Sequence, residues 1–269
     1  MVTEPSIDTN SPSIARVYDA CVGGKDNYEV DREVAANVAA VAPEVYAVAQ
    51  QCRQWLARVV EFLAAHAEID QFLDCGSGLP TAENTHQVAQ RFNPRARVVY
   101  VDNDPTVAAH GRALLEENAH TRFVVEDLRA GGALLARPEI TAHLDPARPL
   151  ALVHSGTLHH LQDAEDPWQV MASSVDALPR GSYVAISHFH DPADGGELSD
   201  LAADIERRFR DRLGTSRFRR LDELTAFTRG LELVEPGWTP AYRWWPRGPR
   251  PAEPGGMDQL FLCAVARKP

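Results

Sequence analysis

The stretch FLDCGSGLPTAENTH, residues 72–86, begins as an apolar run and turns polar at Asp74. Its apolar start is typical of a strand that is covered on both faces of a sheet. Gly76 and Gly78 follow, and glycines let the backbone bend and approach a ligand closely because they carry no Cβ atom. Any strand-to-helix turn could use the same residues, so this loop predicts an α/β fold without identifying a ligand.

The composition indicates a globular protein with a sizeable core, because 44% of the 269 residues are hydrophobic. No apolar run approaches the roughly 20 residues that span a bilayer, and the first residues lack the pattern of a signal peptide. We therefore expect a cytoplasmic protein. The four cysteines are scattered without a Cys-x-x-Cys pair, which indicates neither a disulfide framework nor a zinc site.

The formal net charge of −11 would repel a polyanion, so we expect neither a nucleic-acid nor a membrane partner. One local exception is ERRFRDRLGTSRFRR, residues 206–220, in which arginines crowd together. This segment could form a basic patch, or it could be a solvated helix face whose arginines pair with Glu206 and Asp211. We favour the helix face.

The chain divides into a helical start and an alternating remainder. Ala-rich segments early in the chain carry apolar residues at three-to-four spacing, which predicts a helical N-terminal extension over residues 1–68. Short runs rich in Val, Ile and Leu then alternate with helical stretches, which predicts a parallel sheet within residues 69–269. The tail runs LELVEPGW and MDQLFLCAVARK are joined by a Pro- and Gly-rich linker, which predicts a closing antiparallel hairpin. The five earlier strand candidates are QFLDCG, RVVYVD, RFVVED, LALVHSG and SYVAISH.

Polar residues follow every predicted strand, and ligands of open α/β sheets bind beyond these carboxyl ends. At the end of the second strand, Asp102 can accept both hydroxyl hydrogens of a ribose. A dinucleotide dehydrogenase would use the same geometry, but its fingerprint needs a third glycine where this chain has Thr81. Pro80 also disfavours a helix that begins directly after the glycines, and such a helix N-terminus would be needed to bind a phosphate. A nucleoside-bearing ligand without phosphates therefore fits better.

The Asp-x-Gly-x-Gly loop, the acidic ends of VVYVDNDP and VVEDLR, and the terminal hairpin resemble class I S-adenosylmethionine-dependent methyltransferases. The segment PSIARVYDACVGGKDNYEVDR, residues 12–32, with QFLDCGSGLPT, NTHQVAQ and ARVVYVDNDP, is similar to the actinobacterial S-adenosyl methyltransferase family, formerly a domain of unknown function. This resemblance, which includes the GGKDN motif, covers nearly the whole chain. It implies a Rossmann-like, mostly parallel seven-stranded sheet with an antiparallel C-terminal hairpin strand, and S-adenosyl-L-methionine as the cofactor.

The resemblance also implies a role for individual residues at the strand ends. Asp127 would accept from the exocyclic amine of adenine, although it could equally cap the helix that begins with LRAGGALL, and the two roles are compatible. The implied contacts are Asp74, Gly76, Gly78 and Ser155 for the methionine part, Asp102 for the ribose, and Asn103, Asp127 and Leu128 for the adenine.

The segment ARVYDACVGGKDN, residues 15–27, precedes the sheet at a place where class I enzymes often carry a lid. It could cover the cofactor and exclude water, or it could be a helix-loop-helix held by salt bridges. The resemblance favours the lid, and the residues expected to reach the cofactor are Arg16, Tyr18, Gly24 and Asn27.

A sulfonium methyl group is already activated, so positioning can supply much of the rate acceleration. A base is needed only if the acceptor must lose a proton, and His159 and His160 in HSGTLHHLQD are the nearest candidates. Either histidine could instead pack beside the sheet edge. The alternating residues His188 and His190 could suggest a metal site, but no third ligand is fixed by spacing, and we predict no metal.

These features predict an S-adenosylmethionine-dependent methyltransferase that acts on a small-molecule acceptor by in-line methyl transfer. The alternatives are a non-catalytic S-adenosylmethionine- or nucleoside-binding regulatory protein and an NAD-dependent dehydrogenase. Trp238, Trp244 and Trp245 could wall an acceptor pocket, although packing in the core is the more frequent use of such residues.

Overall fold

The computed structural model describes residues 7–80, 83–245 and 254–269, so Thr81 lies outside the described residues. Its strands are β1 (Gln71–Cys75), β2 (Arg97–Asp102), β3 (Thr121–Val125), β4 (Ala151–Ser155), β5 (Tyr183–Phe189), β6 (Glu232–Leu233), β7 (Thr239–Pro240) and β8 (Phe261–Arg267). Its helices are α1 (Ile14–Val22), α2 (Glu29–Ala39), α3 (Val45–Ala65), α4 (Thr85–Phe92), α5 (Pro105–Leu114), α6 (Pro138–Thr141), α7 (Pro167–Ala177), α8 (Glu197–Leu213), α9 (Leu221–Ala226) and α10 (Gly256–Gln259).

The strands form one sheet in the order β3-β2-β1-β4-β5-β8, with β6 and β7 both paired to the outer edge of β8. Strands β1 to β5 are parallel, and β8 runs antiparallel to β5. All the predicted runs are confirmed as strands. The described sheet has eight strands rather than seven because the outer position is divided between β6 and β7.

A turn between β6 and β7 explains this division. Pro236 has no N–H to donate to a ladder, and Gly237 adopts a left-handed φ of 78°. The Gly237 N–H bonds back to the carbonyl of Val234 at 2.9 Å, instead of extending the pairing along β8. The edge strand is therefore broken into two short pieces.

Both faces of the sheet are buried, as the unalternating apolar runs predict. Successive residues of β1 point to opposite sides, so that Phe72 packs with Trp55 and Val59 of α3, and Leu73 packs in a second cluster with Met171 of α7. The N-terminal helices thus share a hydrophobic cluster with the strands. The division into residues 1–68 and 69–269 remains a prediction.

The arginine-rich segment behaves as a paired helix face. Asp204 forms ion pairs with Arg207 and Arg208, while Glu206 pairs with Arg210 and Arg217. Glu206 is therefore confirmed as a partner, and these pairs favour the solvated-face interpretation over a basic patch. Among the described helices, none has the length and apolar character needed to cross a membrane.

Helix α5 approaches β3 so closely that a side chain at Gly111 has no room. An ideal Cβ at this position would lie 2.3 Å from Cδ2 of Phe123. We expect Gly111→Ala to lower the free energy of unfolding by about 1–3 kcal/mol, although alanine is the better helix former by about 1 kcal/mol. Urea unfolding measures the change.

The control is Gly111→Ala in a Phe123→Leu background, where the ring that blocks the new methyl group is gone. The double variant should lose less stability than the sum of the two single changes, because the two positions share one contact. A stabilising effect of Gly111→Ala in the wild-type background would show that the close approach does not restrain the packing.

Candidate functional site

A cavity of about 610 Å³ opens at the carboxyl ends of the parallel strands. Loops that follow β1 to β4 form one wall, and α1 and α3 cover the other. The parallel sheet therefore brings the strand-end residues together as the sequence predicts. The predicted residues that line the cavity are Tyr18, Asp74, Gly76, Gly78, Asp102, Asn103, Asp127, Leu128, Ser155, His159 and His160.

The loop after β1 is shaped by its two glycines. Gly76 has a φ of 70°, and an ideal Cβ there would lie 2.4 Å from Cγ2 of Thr157, so this position requires glycine. Gly78 has a φ of 66°, and its N–H donates to Oδ2 of Asp102 at 2.9 Å. The loop thus holds the Asp102 carboxylate beside it, at the end of the neighbouring strand.

A buried carboxylate, Asp74, and a half-buried one, Asp102, lie near each other in the cavity wall. Asp74 is 5% exposed, and its Oδ2 accepts a hydrogen bond from the Thr85 hydroxyl at 2.7 Å. Burial raises the pKa of Asp74, and the negative charge of Asp102 raises it further. Burial also raises the pKa of Asp102, against the opposing effect of the N–H groups of Asp104 and Gly78. A cationic ligand would stabilise both charges.

Asp127 caps the short 3-10 helix that follows it, as the sequence allowed. Its Oδ1 accepts from the backbone N–H of Arg129 at 2.8 Å, and the Arg129 guanidinium reaches Oδ2 at 2.5 Å. The Arg129 hydrogen bonds hold the pKa of Asp127 below its ordinary value. Asn103 donates to the same carboxylate at 3.2 Å, and Arg129 also pairs with Glu165 at 2.9 Å. Arg129 therefore joins two walls of the cavity.

Two cations of the cavity lining, Arg129 and Arg53, are not predicted from the sequence. Arg53 lies on α3, and its Nη2 donates to the carbonyl of Glu83 at 3.1 Å. The α3 residues that face the cavity recur at helical spacing and are otherwise uncharged, so a charged residue within an apolar stripe is the signal that could have identified Arg53. Those residues are Val45, Val48, Ala49, Cys52, Arg53 and Leu56.

Carboxylates outnumber cations along the described lining of the cavity. Arg53 and Arg129 are the cations of this lining. A positively charged ligand is therefore favoured electrostatically over a polyanion. The lining carboxylates are Asp74, Asp102, Asp104, Glu126, Asp127 and Glu165.

Helix α1 covers the cavity with one face only. Tyr18 lines the cavity, and its hydroxyl donates to the carbonyl of Ala49 at 3.1 Å, which ties α1 to α3. Arg16 does not line the cavity. Its Nε bonds Oδ2 of Asp31 at 2.9 Å, and both side chains are buried. Two residues along a helix correspond to roughly 200° of rotation, so Arg16 and Tyr18 cannot face the same ligand.

Gly24 and Asn27 also lie away from the cavity, in a turn built around Asp19. Oδ2 of Asp19 accepts from the Asn27 amide at 2.7 Å and from the backbone N–H of Asp26 at 2.9 Å. An ideal Cβ at Gly24 would lie 1.9 Å from Oδ1 of Asp19, which explains the glycine at this position. These contacts correspond to the helix-loop-helix interpretation of the motif. A cofactor role for these residues remains a prediction.

His159 and His160 lie on a 3-10 helix (Leu158–His160) directly after β4. The Nδ1 atoms of both rings are buried and have no hydrogen-bond partner. Burial lowers the pKa of His160 to about 4, and burial together with the neighbouring His160 lowers the pKa of His159 well below its ordinary value. Both rings are therefore neutral at pH 7 and can accept a proton or a hydrogen bond.

The segment that carries these histidines is fixed by Arg219, which is 1% exposed. Its guanidinium donates to the carbonyls of Leu158 and Leu161, at 3.3 and 2.9 Å, and pairs with Asp163 at 2.8 Å. Nη1 of Arg219 also lies 2.9 Å from Nε2 of His188. A guanidinium at this position would repel a metal cation.

The described residues contain no group of three or more metal-ligating side chains. The tryptophans also lie outside the cavity lining. Trp244 is 1% exposed and packs edge-on against Phe62 with a centroid distance of 5.8 Å, while Trp238 packs against the second hydrophobic cluster. Core packing, rather than an acceptor pocket, is their observed use.

Comparisons with known proteins agree on one family. The model of the S-adenosyl methyltransferase family matches residues 2–269. A candidate methyltransferase from Thermobifida fusca is 40% identical with a TM-score of 0.90, and the match covers 100% of this chain and 99% of that chain. A DUF574 family protein from Streptomyces avermitilis is 36% identical with a TM-score of 0.91, covering 98% and 100% of the two chains. The search of curated proteins found no match.

A more distant structure shows the fold alone. An O-methyltransferase family protein from Burkholderia thailandensis is 13% identical with a TM-score of 0.53, and the match covers 92% of this chain and 62% of that chain.

The buried histidines make the stability of the protein dependent on pH. Burial lowers the pKa of His154 and His160 to about 4, whereas an unfolded histidine titrates near 6.5. The unfolded chain therefore binds more protons as the pH falls from about 6.5 towards 4, and each such histidine should lower the free energy of unfolding by about 1.4 kcal/mol per pH unit. Urea unfolding between pH 7 and pH 5 measures this slope.

His154→Leu should reduce the pH dependence of the free energy of unfolding by the contribution of one histidine, because the group that resists protonation is gone. Val153→Ala, a buried substitution on the same strand that removes no titratable group, is the control and should lower the free energy of unfolding without changing the slope. Equal slopes for wild type and His154→Leu would show that His154 is not held neutral in the folded protein.

Proposed function

Because the chain belongs to the S-adenosyl methyltransferase family, we propose that it transfers the methyl group of S-adenosylmethionine to a small-molecule acceptor by in-line displacement. Family membership makes the chain an S-adenosylmethionine-dependent methyltransferase and leaves no support for the dehydrogenase alternative. The observation that carries the finer proposal is the acidic cavity at the strand ends, where Asp74 and Asp102 lie beside the glycine loop.

The lining residues fit the cofactor in both charge and order. The sheet order β3-β2-β1-β4 carries Asp127, Asp102, Asp74 and Ser155 in sequence across the cavity. We infer that adenine, ribose and methionine follow the same order, so that Asp102 accepts from the ribose hydroxyls and Asp74 from the methionine ammonium. Arg53 is the residue we expect to bind the methionine carboxylate, because it lines the cavity and its positive charge acts to lower the pKa of Asp74.

The electrostatics of the cavity also disfavour a pyrophosphate. Among the described residues, the first helix after the glycine loop is α4, which begins at Thr85 rather than directly after Gly78. Carboxylates such as Asp74 and Asp102 would repel phosphate groups, whereas they stabilise a sulfonium and an ammonium group. This agrees with a nucleoside cofactor that carries positive charge.

The chain's own contribution to the reaction is positioning. When the cofactor is bound, a lone pair of the acceptor atom forms a bond to the methyl carbon while the carbon–sulfur bond breaks and its electron pair remains on sulfur. Helices α1 and α3 cover the cavity and exclude water from this step. Ser155 and the glycine loop hold the methionine part, so the reacting atoms are aligned before the reaction begins.

His159 and His160 are the candidate bases for an acceptor that must lose a proton, and the bound acceptor would have to raise the lowered pKa of the ring before it could hold that proton. Both rings line the cavity and are neutral at pH 7 because burial lowers their pKa. A neutral imidazole nitrogen can accept a hydrogen bond from a hydroxyl group and orient it towards the methyl group. A cytoplasmic location and the absence of a nucleic-acid partner remain predictions from the sequence.

Replacing the ribose carboxylate should weaken cofactor binding. Hydrogen bonds to a charged group contribute about 1.5–3 kcal/mol, so we expect Asp102→Ala to raise the Kd for S-adenosylmethionine by about 10- to 100-fold in titration calorimetry. Asp70→Ala is the control, because Asp70 precedes β1 at the amino ends of the parallel strands, away from the cavity, and pairs with Arg148. Unchanged affinity of Asp102→Ala would remove Asp102 from the site, and tight NAD binding without a response to S-adenosylmethionine would contradict the assignment of the cavity.

A labelled methyl group identifies the class of acceptor. We expect label from the methyl group of S-adenosylmethionine to enter dialysable compounds of an actinobacterial extract. If His159 or His160 is the base, its replacement by Gln should lower the rate of methyl transfer by about 100-fold and leave the affinity for the cofactor unchanged. Label confined to protein or nucleic acid would contradict a small-molecule acceptor. Cofactor binding without any transfer would favour the non-catalytic regulatory alternative.

A further inference from the structure

The cavity has a second end whose chemistry differs from the acidic strand ends. Beyond β4, the sheet continues to β5 and β8, where Phe189 and Phe261 are cross-strand partners. Phe209 and Leu213 of α8 and Met257 of α10 complete this part of the lining. We call these five residues the aromatic end of the cavity.

The rings of the aromatic end are arranged to receive another ring. Phe189 and Phe209 are stacked with centroids 5.8 Å apart and an interplanar angle of 23°, while Phe261 meets Phe189 edge-on at 5.6 Å and 75°. His159 lies against Phe189 with a centroid distance of 4.1 Å. Aromatic rings attract each other in stacked and edge-on geometries, so this end suits a planar aromatic ligand better than an aliphatic one of equal size.

No residue of the aromatic end carries a charge. His159 adjoins it as a neutral ring, because burial lowers the pKa of this histidine. An ionised group placed here would lose its hydration without gaining an oppositely charged partner, which is unfavourable. A ligand for this end should therefore be uncharged.

The aromatic end lies near both the proposed methionine site and the two histidines that follow β4. Ser155 on β4 is the register partner of Ser187 on β5, and Phe189 lies two residues further along β5 on the same face, so its Cα is roughly 8 Å from that of Ser155. An aromatic ligand that packs against Phe189 can therefore direct a substituent both to the methionine end of the cavity and to the histidines that follow β4. The buried Nδ1 atoms of His159 and His160 have no partner in the protein, so each ring has an unsatisfied nitrogen that a donor on the ligand would satisfy if it displaced the groups that cover it.

We propose that the aromatic end is the acceptor subsite and that it binds an uncharged, planar aromatic compound with a hydroxyl group, which donates its hydrogen bond to His159 or His160. This inference rests on the proposed function, because the cofactor must occupy the acidic strand ends for the hydroxyl group to meet a methyl group. It adds the shape, charge and functional group of the acceptor.

Binding of three matched probes tests the proposal without requiring turnover. Titration calorimetry first measures S-adenosylhomocysteine and then, with that compound saturating, 2-naphthol, its saturated analogue decahydro-2-naphthol, and naphthalene-2-sulfonate. We expect 2-naphthol to bind about tenfold more tightly than the saturated alcohol, because ring contacts are lost, and we expect no measurable binding of the sulfonate.

Two phenylalanines that stack on Phe189 provide matched variants. Phe209 lines the cavity, whereas Phe218 stacks on Phe189 at 4.5 Å but does not line it. Phe209→Leu should weaken 2-naphthol binding by about tenfold, and Phe218→Leu should leave it unchanged. Both variants should retain the wild-type Kd for S-adenosylhomocysteine, which also shows that they are folded.

A positive charge introduced into the aromatic end should allow it to bind an anionic probe. Leu213 lines the cavity at the C-terminal end of α8, where a cation is favoured by the helix dipole. Leu213→Lys should therefore create measurable binding of naphthalene-2-sulfonate while leaving S-adenosylhomocysteine binding intact.

The outcomes separate this inference from the proposed function. Failure of S-adenosylhomocysteine to bind the wild type would overturn the proposed function and this inference with it. Retained S-adenosylhomocysteine binding, together with equal affinities for 2-naphthol and the saturated alcohol, tighter binding of the sulfonate, or equal effects of Phe209→Leu and Phe218→Leu, would overturn this inference alone.

Discussion

The parallel pairing of β1 with β2 and β4 is the constraint on which the site depends. Its register aligns Cys75 with Val101, so the loops after neighbouring strands leave the sheet at one edge. The Gly76 N–H then bonds the carbonyl of Val101 at 2.7 Å, which fixes the glycine loop over the end of β2. Asp102 and Ser155 are distant in sequence, and they line one cavity only because their strands end at this edge.

The same edge concentrates negative charge, which creates an electrostatic cost in the absence of a ligand. Asp74 and Asp102 are both desolvated, and burial raises the pKa of each. A cation between them would stabilise their ionised forms and lower both pKa values towards ordinary ones. Cofactor binding should therefore relieve the repulsion between the two carboxylates, and this relief contributes to the binding energy.

The sequence predicted the site residues that lie at strand ends, but it did not predict which side chains of the covering helices face the cavity. The end of a buried strand is visible in the pattern, so Asp74, Asp102 and Asp127 could be assigned to one edge. Arg16 was expected at the cofactor because its motif is rich in hydrogen-bonding groups, but the rotation of α1 turns it to Asp31. Arg53 was missed because a single arginine within an apolar helical stripe is readily taken for a surface residue.

The order of chemistry across the sheet separates the strand ends that we propose hold the cofactor from the aromatic end that we propose binds the acceptor. Asp74 and Asp102 lie at the carboxyl ends of β1 and β2, and Asp127 follows β3, whereas Phe209 and Met257 come from α8 and α10. Substitutions at the aromatic end can therefore alter the shape and charge of the acceptor without moving Asp102 or Gly76. A chain built in this way can keep one methyl donor while its acceptor changes, because the two tasks are carried by different elements of the fold.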